Sequence, residues 1–281
     1  MKRILYFFNK YKDSDYKLST EIISFLRTFN CIIYCENEDF ANLSNLEVYN
    51  KQDLDLVILL GGDGTVLRYL RKYNNPNIPL LGINLGRVGA LNVASLDNYQ
   101  ELFVKYFNGE FYNVEYLNLE GSINYSNGKV VNFNIYNDVV IHRGLSMKPL
   151  LLKVSVNDGL EDFIYCDGLI VATPTGSTAY NHSAGGPILA QNCGCFVVTP
   201  ICPQTKGFAS NVISENDQIN IKIDNPLDGI NLCVDGHENY PINDNVIVSV
   251  KKASKKLVLV QFDKDIRLYK LIYKVIDSIN K

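Results

Sequence analysis

The sequence lacks the motifs by which many nucleotide-binding proteins are identified. No glycine-rich stretch has the Walker lysine after its last glycine, and no GxGxxG sequence follows a predicted strand. Cysteine occurs seven times, an odd number, and no two cysteines form a CxxC pair. We therefore predict reduced thiols and no cysteine-based metal cluster.

Long apolar runs and dense positive charge are also absent. No segment approaches the ~18 apolar residues of a membrane helix, and the apolar start at residues 1–8 is too short for a signal peptide. The net charge is −3, which gives no general attraction for nucleic acid. We expect a cytoplasmic protein with neither a membrane nor a nucleic-acid partner.

What is present is an ordinary globular composition, with 47% hydrophobic and 20% charged residues over 281 positions, enough for two domains. Predicted strands alternate with helical patterns in the first part of the chain, which indicates a parallel sheet covered by helices. We predict an α/β domain over residues 1–108. Alternating patterns and glycine-containing turns then predict a β-rich domain over residues 109–263, and residues 264–281 are predicted to form an amphipathic helix that packs on the first domain.

The sequence GGDGT at residues 61–65 joins a buried apolar run to a helical pattern. Its three glycines allow positive φ and close approach of a ligand, and the helix start offers free N–H groups to an anion. This turn is a predicted phosphate site. A second glycine turn, at residues 86–89, follows the next predicted strand, and ligands of parallel sheets bind at the carboxyl ends of strands.

Asp63 stands in the middle of this turn, where its charge cannot help to hold a phosphate. A general base or a magnesium ligand would suit the position. The alternative is a tight connection in which Asp63 only caps the helix. The glycines on both sides of the acid and the second glycine turn favour a function.

A second polar segment interrupts the β-rich half at residues 166–187, which read as a strand, a hydroxyl-rich turn and a short helix. Thr173, Thr175, Ser177 and Thr178 surround Gly176 and can bond to ribose and phosphate oxygens. Tyr180 can stack on a base. The alternative here is a capped strand-to-helix turn without a ligand.

In order and spacing, five segments together resemble the NAD kinases: GGDGT, residues 84–89, Asn137-Asp138, residues 167–187 and Asp235-Gly236. The resemblance implies a Rossmann-like N-terminal domain and a β-sandwich C-terminal domain. It also implies transfer of the ATP γ-phosphoryl group, or in some members that of polyphosphate, to the 2′-hydroxyl of the adenosine ribose of NAD. Mg²⁺ is the implied cofactor, and a homodimer or homotetramer the implied assembly.

Transferred to this chain, the resemblance assigns Asp63 as the proton acceptor, Gly64 as its neighbour in the pocket and Arg68 as a residue facing phosphate. No protein ligand to the metal is assigned. The residues expected to bind NAD or nucleotide groups are Asn137, Asp138, Asp167, Thr175, Thr178, Ala179, Tyr180, Asn181, His182, Ser183 and His237.

Two other functions share parts of this pattern. A lipid kinase of the diacylglycerol type would share GGDGT and the two-domain plan, but would have no use for Asn181 and Ser183 in a dinucleotide pocket. A non-catalytic NAD-binding sensor would need no carboxylate at position 63, so Asp63 argues against it.

Overall fold

The structure is a computed structural model that describes residues 1–263 except 75–76, 87–88, 158, 160, 226–228 and 243–245. Its contacts divide the chain into two units. Of the described residues, the first contains Met1–Glu115 and residues 257–263, and the second contains Tyr116–Lys256.

The first unit is an α/β sheet domain. Its elements are β1 Lys2–Phe8, α1 Lys17–Leu26, β2 Cys31–Cys35, α2 Glu38–Leu43, β3 Glu47–Val48, β4 Leu56–Leu60, α3 Asp63–Tyr73, β5 Leu80–Asn84, β6 Ala94–Ser95, α4 Tyr99–Phe107, β7 Tyr112–Tyr116 and, near the end of the chain, β20 Leu257–Gln261.

The strand order of this sheet is β3-β2-β1-β4-β5-β20-β7, and β6 pairs with β5 as well. All five residues of β4 are buried, as expected for a parallel strand covered on both faces. From β1 the chain proceeds to β2 and β3 on one side and to β4 and β5 on the other, so the order reverses between β1 and β4. Ligands of such sheets bind at this reversal, beside the carboxyl ends of the strands.

The second unit contains the strands β8 Leu119–Asn124, β9 Val130–Ile135, β10 Asp138–His142, β11 Leu150–Val156, β12 Glu161–Cys166, β13 Gly168–Ala172, β14 Cys195–Ile201, β15 Asn211–Ser214, β16 Ile219–Ile223, β17 Asn231–Val234, β18 Glu238–Pro241 and β19 Ile247–Lys252, with a 3-10 turn at Gly176–Thr178 and the short helix α5 Tyr180–Ser183.

These strands form two six-stranded sheets, ordered β15-β14-β13-β10-β17-β18 and β12-β11-β16-β19-β8-β9. One hydrophobic core takes side chains from both sheets, among them Ile141 and Phe196 from the first and Leu152 and Val248 from the second. Two sheets that share a core in this way form a sandwich. The predicted combination of an α/β domain and a β-sandwich domain is confirmed.

Two details of the predicted domain limits differ from the structure. We expected residues 257–262 in the second domain, but β20 pairs with β5 in the first sheet, with Leu259 opposite Leu80. The units divide after Glu115 rather than near residue 108. The predicted closing helix, residues 264–281, lies outside the described residues. No helix in the described ranges is long and apolar enough to cross a membrane.

Candidate functional site

In the first glycine turn, one position requires glycine, both because of its positive φ and because there is no space for a Cβ atom. Gly61 has φ +155°, and a Cβ there would overlap the side chain of Thr65. Gly62 is the extended N-cap of α3 with φ −98°, and Gly64 lies inside the helix with open space where a Cβ would point. The expected positive φ is therefore confirmed for Gly61 alone, while Gly64 leaves the helix start open to a ligand.

Asp63 is the first residue of α3, and its carboxylate is held by three donors. The backbone N–H of Ala90 donates to Oδ2 at 2.7 Å, while the N–H of Leu91 and Nδ2 of Asn92 donate to Oδ1 at 3.1 and 2.8 Å. Because Gly62 is the N-cap and no side chain caps the helix, the interpretation of Asp63 as a cap is wrong. The carboxylate instead faces the segment after β5.

The second glycine turn makes room for this contact. A Cβ at Gly89 would overlap the Asp63 carboxylate, so glycine there lets residues 90–92 close around it. The two turns lie at the same edge because the N–H of Gly61 donates to Ile83 O at 2.9 Å and the N–H of Leu85 donates to Gly61 O at 3.3 Å. The sequence predicted that both turns share this edge. Residues 87 and 88 of the second turn are outside the described residues.

Basic side chains reach this edge from two directions. Arg68, one turn into α3, donates from Nη2 to Phe8 O at 2.6 Å, and its guanidinium lies 4.7 Å from the centre of the Phe7 ring. Lys12 is exposed in the loop after β1, and its Nζ is 4.0 Å from where a Cβ of Gly62 would be. The Arg68 side chain is thus already hydrogen-bonded to β1. Its binding to phosphate stays a prediction. Lys12 was not predicted.

In the second unit, the hydroxyl-rich segment is packed onto the start of β10. A Cβ at Gly176 would overlap the backbone of Asn137, so glycine allows this close approach. Thr173 donates from its hydroxyl to Tyr136 O at 2.8 Å and accepts the N–H of Gly176 at 3.0 Å. The hydroxyl of Ser177 donates to Pro174 O at 2.6 Å. These two hydroxyls bond to the protein itself.

Asn181 is bonded inside the protein. Its side chain is fully buried, Nδ2 donates to the carbonyls of Ser177 and Pro187 at 3.0 Å each, and Oδ1 accepts the Thr199 hydroxyl at 2.6 Å. Both hydrogens of the NH₂ group are thus used, and the oxygen with its second lone pair is buried. These bonds hold the segment, and the contact of Asn181 with NAD stays a prediction.

A pocket of about 470 Å³ opens beside this segment. Its walls come from β10, α5 and the turn after β17, and they contain Asn137, Asp138, Val140, His142, Ala179, Tyr180, Cys233, Asp235 and Gly236. The structure thus brings together four predicted residues, namely Asn137, Asp138, Ala179 and Tyr180. The ring of Tyr180 is 43% exposed and free to meet a ligand.

Two carboxyl groups share the floor of this pocket. Asp235 and Gly236 have φ values of +48° and +69° and are the central residues of a tight turn, which the N–H of His237 closes by donating to Val234 O at 3.0 Å. The carboxylate of Asp235 accepts the backbone N–H groups of Tyr136, Asn137 and Asp138 at 2.7 to 3.2 Å. The Asp-Gly turn therefore holds the Asn137-Asp138 pair in place.

Burial raises the pKa values of both carboxyls. The pKa of Asp235 rises to about 6, although the three N–H groups favour its charged form. The pKa of Asp138 rises to about 7 through burial and the neighbouring charge of Asp235. Near neutral pH, Asp138 can therefore either accept or donate a hydrogen bond at the pocket.

The other predicted residues lie outside the pocket wall. Asp167 forms an ion pair with Arg143, with Nε and Oδ1 2.9 Å apart. Thr175 is buried, and its carbonyl accepts the Thr178 hydroxyl at 3.3 Å. His182, Ser183 and His237 are exposed. Ligand contacts of these residues stay predictions.

Strand periodicity could have identified some of the residues that were not predicted. Val140 and His142 lie two and four positions after the predicted Asp138 along β10 and line the pocket with it, whereas Val139 and Ile141 enter the core of the sandwich. Cys233 precedes Asp235 by two positions and faces the same side. By contrast, no pattern pointed to Leu91, Asn92 or Arg143, whose partners lie more than 20 positions away in the chain.

The described residues contain no group of three or more His, Cys, Asp or Glu side chains placed to hold a metal ion. The carboxylate of Asp63 has capacity left, because Oδ2 accepts only one of the three hydrogen bonds. A carboxylate oxygen is a suitable ligand for Mg²⁺, which is usually bound by one or two carboxylates together with phosphates. The residues present therefore fit a magnesium ion carried by a nucleotide better than one held by the protein alone.

Comparisons with known proteins agree over nearly the whole chain. Residues 4–111 match the family model of the ATP-NAD kinase N-terminal domain, and residues 136–262 match that of the ATP-NAD kinase C-terminal domain. The NAD kinase of Caldanaerobacter subterraneus subsp. tengcongensis is 32% identical over 269 residues, covering 93% of this chain and 94% of the relative. That of Clostridium beijerinckii is 35% identical over 246 residues, covering 84% and 86%.

Two solved structures have the same fold. An NAD kinase from Archaeoglobus fulgidus in complex with ATP has a TM-score of 0.73 and 26% identity, covering 97% of this chain and 98% of that one. A yeast NADH kinase complexed with NADH has a TM-score of 0.86, covering 100% and 88%. At 23% identity, the yeast structure supports the fold alone.

Proposed function

The chain belongs to the NAD kinase family, and we propose that its Asp63 is the base in the transfer of the ATP γ-phosphoryl group to the 2′-hydroxyl of the adenosine ribose of NAD. The observation that carries this role is the cradle of three donors around the Asp63 carboxylate. A cap or a solvated side chain would not need such a cradle. The product of the reaction is NADP.

Phosphoryl transfer depends mainly on alignment and on neutralisation of charge, so the base needs a fixed position more than an unusual pKa. Oδ2 of Asp63 receives one hydrogen bond, from Ala90, and has a lone pair left for the hydroxyl proton. A base acts from about 2.6–3.2 Å, and the fixed carboxylate can hold that distance. Asp63 accepts the proton as the ribose oxygen bonds to phosphorus and the bond to the ADP oxygen breaks.

The start of α3 is our proposed site for the donor phosphates. Free N–H groups at a helix N-terminus attract anions, and Gly64 leaves the approach open. Lys12, in the loop after β1, and Arg68, in α3, would add positive charge. Mg²⁺ would enter with the donor, held by its phosphates, and would neutralise phosphate charge.

For NAD we propose the pocket of the second unit. Asn137 and Asp138 would bind adenine and ribose groups, and the exposed ring of Tyr180 would stack on a base. The pocket of about 470 Å³ is in the usual range for small-molecule sites, roughly 300–1,000 Å³, and holds part of a dinucleotide. Assembly as a homodimer or homotetramer stays a prediction, which light scattering on the purified protein would check.

The test is an enzyme-coupled assay for NADP formed from NAD, ATP and Mg²⁺, with polyphosphate as a second donor. We expect turnover by the wild type and a loss of about 10²–10⁴-fold in kcat for Asp63→Asn, with little change in NAD binding. Asp97→Asn, an exposed acid in the segment after β6, serves as the matched control and should retain activity. A nearly active Asp63→Asn variant would refute the base assignment.

A wild type that makes no NADP with either donor would refute the proposed reaction. NAD binding measured calorimetrically in the same preparation would then indicate a sensor.

A further inference from the structure

Asn92 is a buried amide directly beside the proposed base. It is 6% exposed, and its Nδ2 donates to Oδ1 of Asp63 at 2.8 Å. Its segment is anchored along β5, where the N–H of Val93 donates to Gly82 O at 3.1 Å. A Cβ at Gly82 would overlap Oδ1 of Asn92, so glycine in this strand makes room for the amide. The fold therefore accommodates Asn92 at a defined position.

Within the described part of the chain, the carbonyl oxygen of the Asn92 amide makes no hydrogen bond that would explain a polar residue at this position. Oδ1 of Asn92 is buried without a hydrogen-bond partner among the described residues. A buried acceptor without a partner destabilises a protein, and an apolar side chain would fill the same space without that penalty. Packing alone therefore does not explain an amide here. The bond from Nδ2 to Asp63 is the interaction that an apolar residue could not make.

We propose that Asn92 is a positioning residue that fixes the rotation of the Asp63 carboxylate. Leu91 N–H and Asn92 Nδ2 both hold Oδ1, which keeps Oδ2 as the oxygen available to the substrate. Without the amide, the carboxylate can rotate about its Cβ–Cγ bond and present the wrong geometry. The inference rests on the proposed function, because it concerns how the base of that reaction is held.

Two substitutions separate positioning from packing. Asn92→Ala removes the donor, and we expect kcat to fall about 10- to 100-fold with the KM for NAD and for ATP within about twofold of wild type. Asn92→Asp keeps the shape but replaces the donor by a carboxylate that repels Asp63, so its kcat should fall at least as far. If Asn92 only fills space, Asn92→Ala would instead lower the free energy of unfolding but leave kcat within about twofold of wild type.

The decisive experiment is a double-mutant cycle with Asp63→Asn, using kcat from NADP formation. If Asn92 acts through Asp63, adding Asn92→Ala to Asp63→Asn should lower the remaining activity less than about twofold. Asn98→Ala is the control, because it removes the local acceptor of the Ser95 N–H and hydroxyl, and no hydrogen bond joins Asn98 to Asp63 among the described residues. We expect it to leave kcat unchanged.

The two kinds of failure can be distinguished. If the losses from Asn92→Ala and Asp63→Asn multiply, or if Asn98→Ala lowers kcat as much as Asn92→Ala does, the positioning role is refuted while the reaction stands. Absence of NADP from the wild type refutes the proposed function itself.

Discussion

The two polar turns of this protein use their side chains in opposite ways. In the first unit, Asp63 projects from its turn and is held by a different segment, residues 90–92. In the second unit, Thr173, Ser177 and Asn181 bond mainly within or beside their own segment. The first turn thus leaves an oxygen of Asp63 with unused acceptor capacity, whereas the second uses its polar groups to shape a backbone.

The comparison shows that a polar residue in a motif is a ligand candidate only while its donors and acceptors are unused. In the second segment, the residues that do line the pocket are Ala179 and Tyr180, one of which has no polar side chain at all. Its hydroxyls and the Asn181 amide are needed to hold this wall. Each of the following predictions tests one side of that difference.

The largest effect on stability should come from Asn181→Ala. The variant loses three hydrogen bonds, two of them buried, and leaves the carbonyls of Ser177 and Pro187 without this donor, so we expect a loss of about 2–4 kcal/mol in the free energy of unfolding. Urea unfolding followed by circular dichroism measures it. Asn211→Ala, an exposed asparagine of the same unit bonded to Ala209 O, is the control and should change stability by less than about 0.5 kcal/mol.

A different result would restore the original interpretation of Asn181. If Asn181→Ala left stability unchanged but weakened NAD binding, the amide would be a ligand after all, and the contrast between the turns would disappear.

A smaller effect, with a defined pH dependence, should follow from Asp138→Asn. The folded pKa of Asp138 is about 7, raised from an ordinary value of 3.8 by burial and by Asp235. Between these values the folded state binds more protons than the unfolded state, so this carboxyl lowers the stability of the wild type as the pH rises from about 4 to 7. The amide does not ionise and has no such dependence.

We therefore expect Asp138→Asn to gain stability relative to wild type by on the order of 2 kcal/mol between about pH 4 and pH 8. Urea midpoints of both proteins at several pH values measure this difference. Asp224→Asn, at a more exposed carboxyl that pairs with Lys153, is a control for general charge effects. A difference between wild type and Asp138→Asn that does not change with pH would mean that the Asp138 site does not disfavour the charged form.

Sequence-based prediction succeeded where the signals are local in the chain and failed where a contact joins residues far apart in the chain. The turn at residues 61–65 and the β-rich second domain were predicted because strand periodicity and glycine spacing are local signals. The pairing of β20 with β5 was not predicted, because the alternating pattern of a strand does not indicate which other strand it pairs with. The same holds for Asn92 and Arg143, whose roles depend on partners brought close by folding. Asn181 was assigned to the ligand by family resemblance, and its burial and its bonds inside the protein could not be predicted from the sequence.

The smallest predicted effect concerns Tyr180, the member of the second segment that faces the pocket. Because its ring is 43% exposed, Tyr180→Ala should hardly change the unfolding free energy, in contrast to Asn181→Ala one position later. Stacking on a base contributes about 1–3 kcal/mol, so we expect NAD binding to weaken by about 5- to 150-fold in calorimetric titrations. Tyr180→Phe keeps the ring and should bind within about twofold of wild type. If both variants bind NAD as the wild type does, the ring does not contact the dinucleotide. If the phenylalanine variant is as weak as the alanine variant, the hydroxyl rather than the ring is the group that binds.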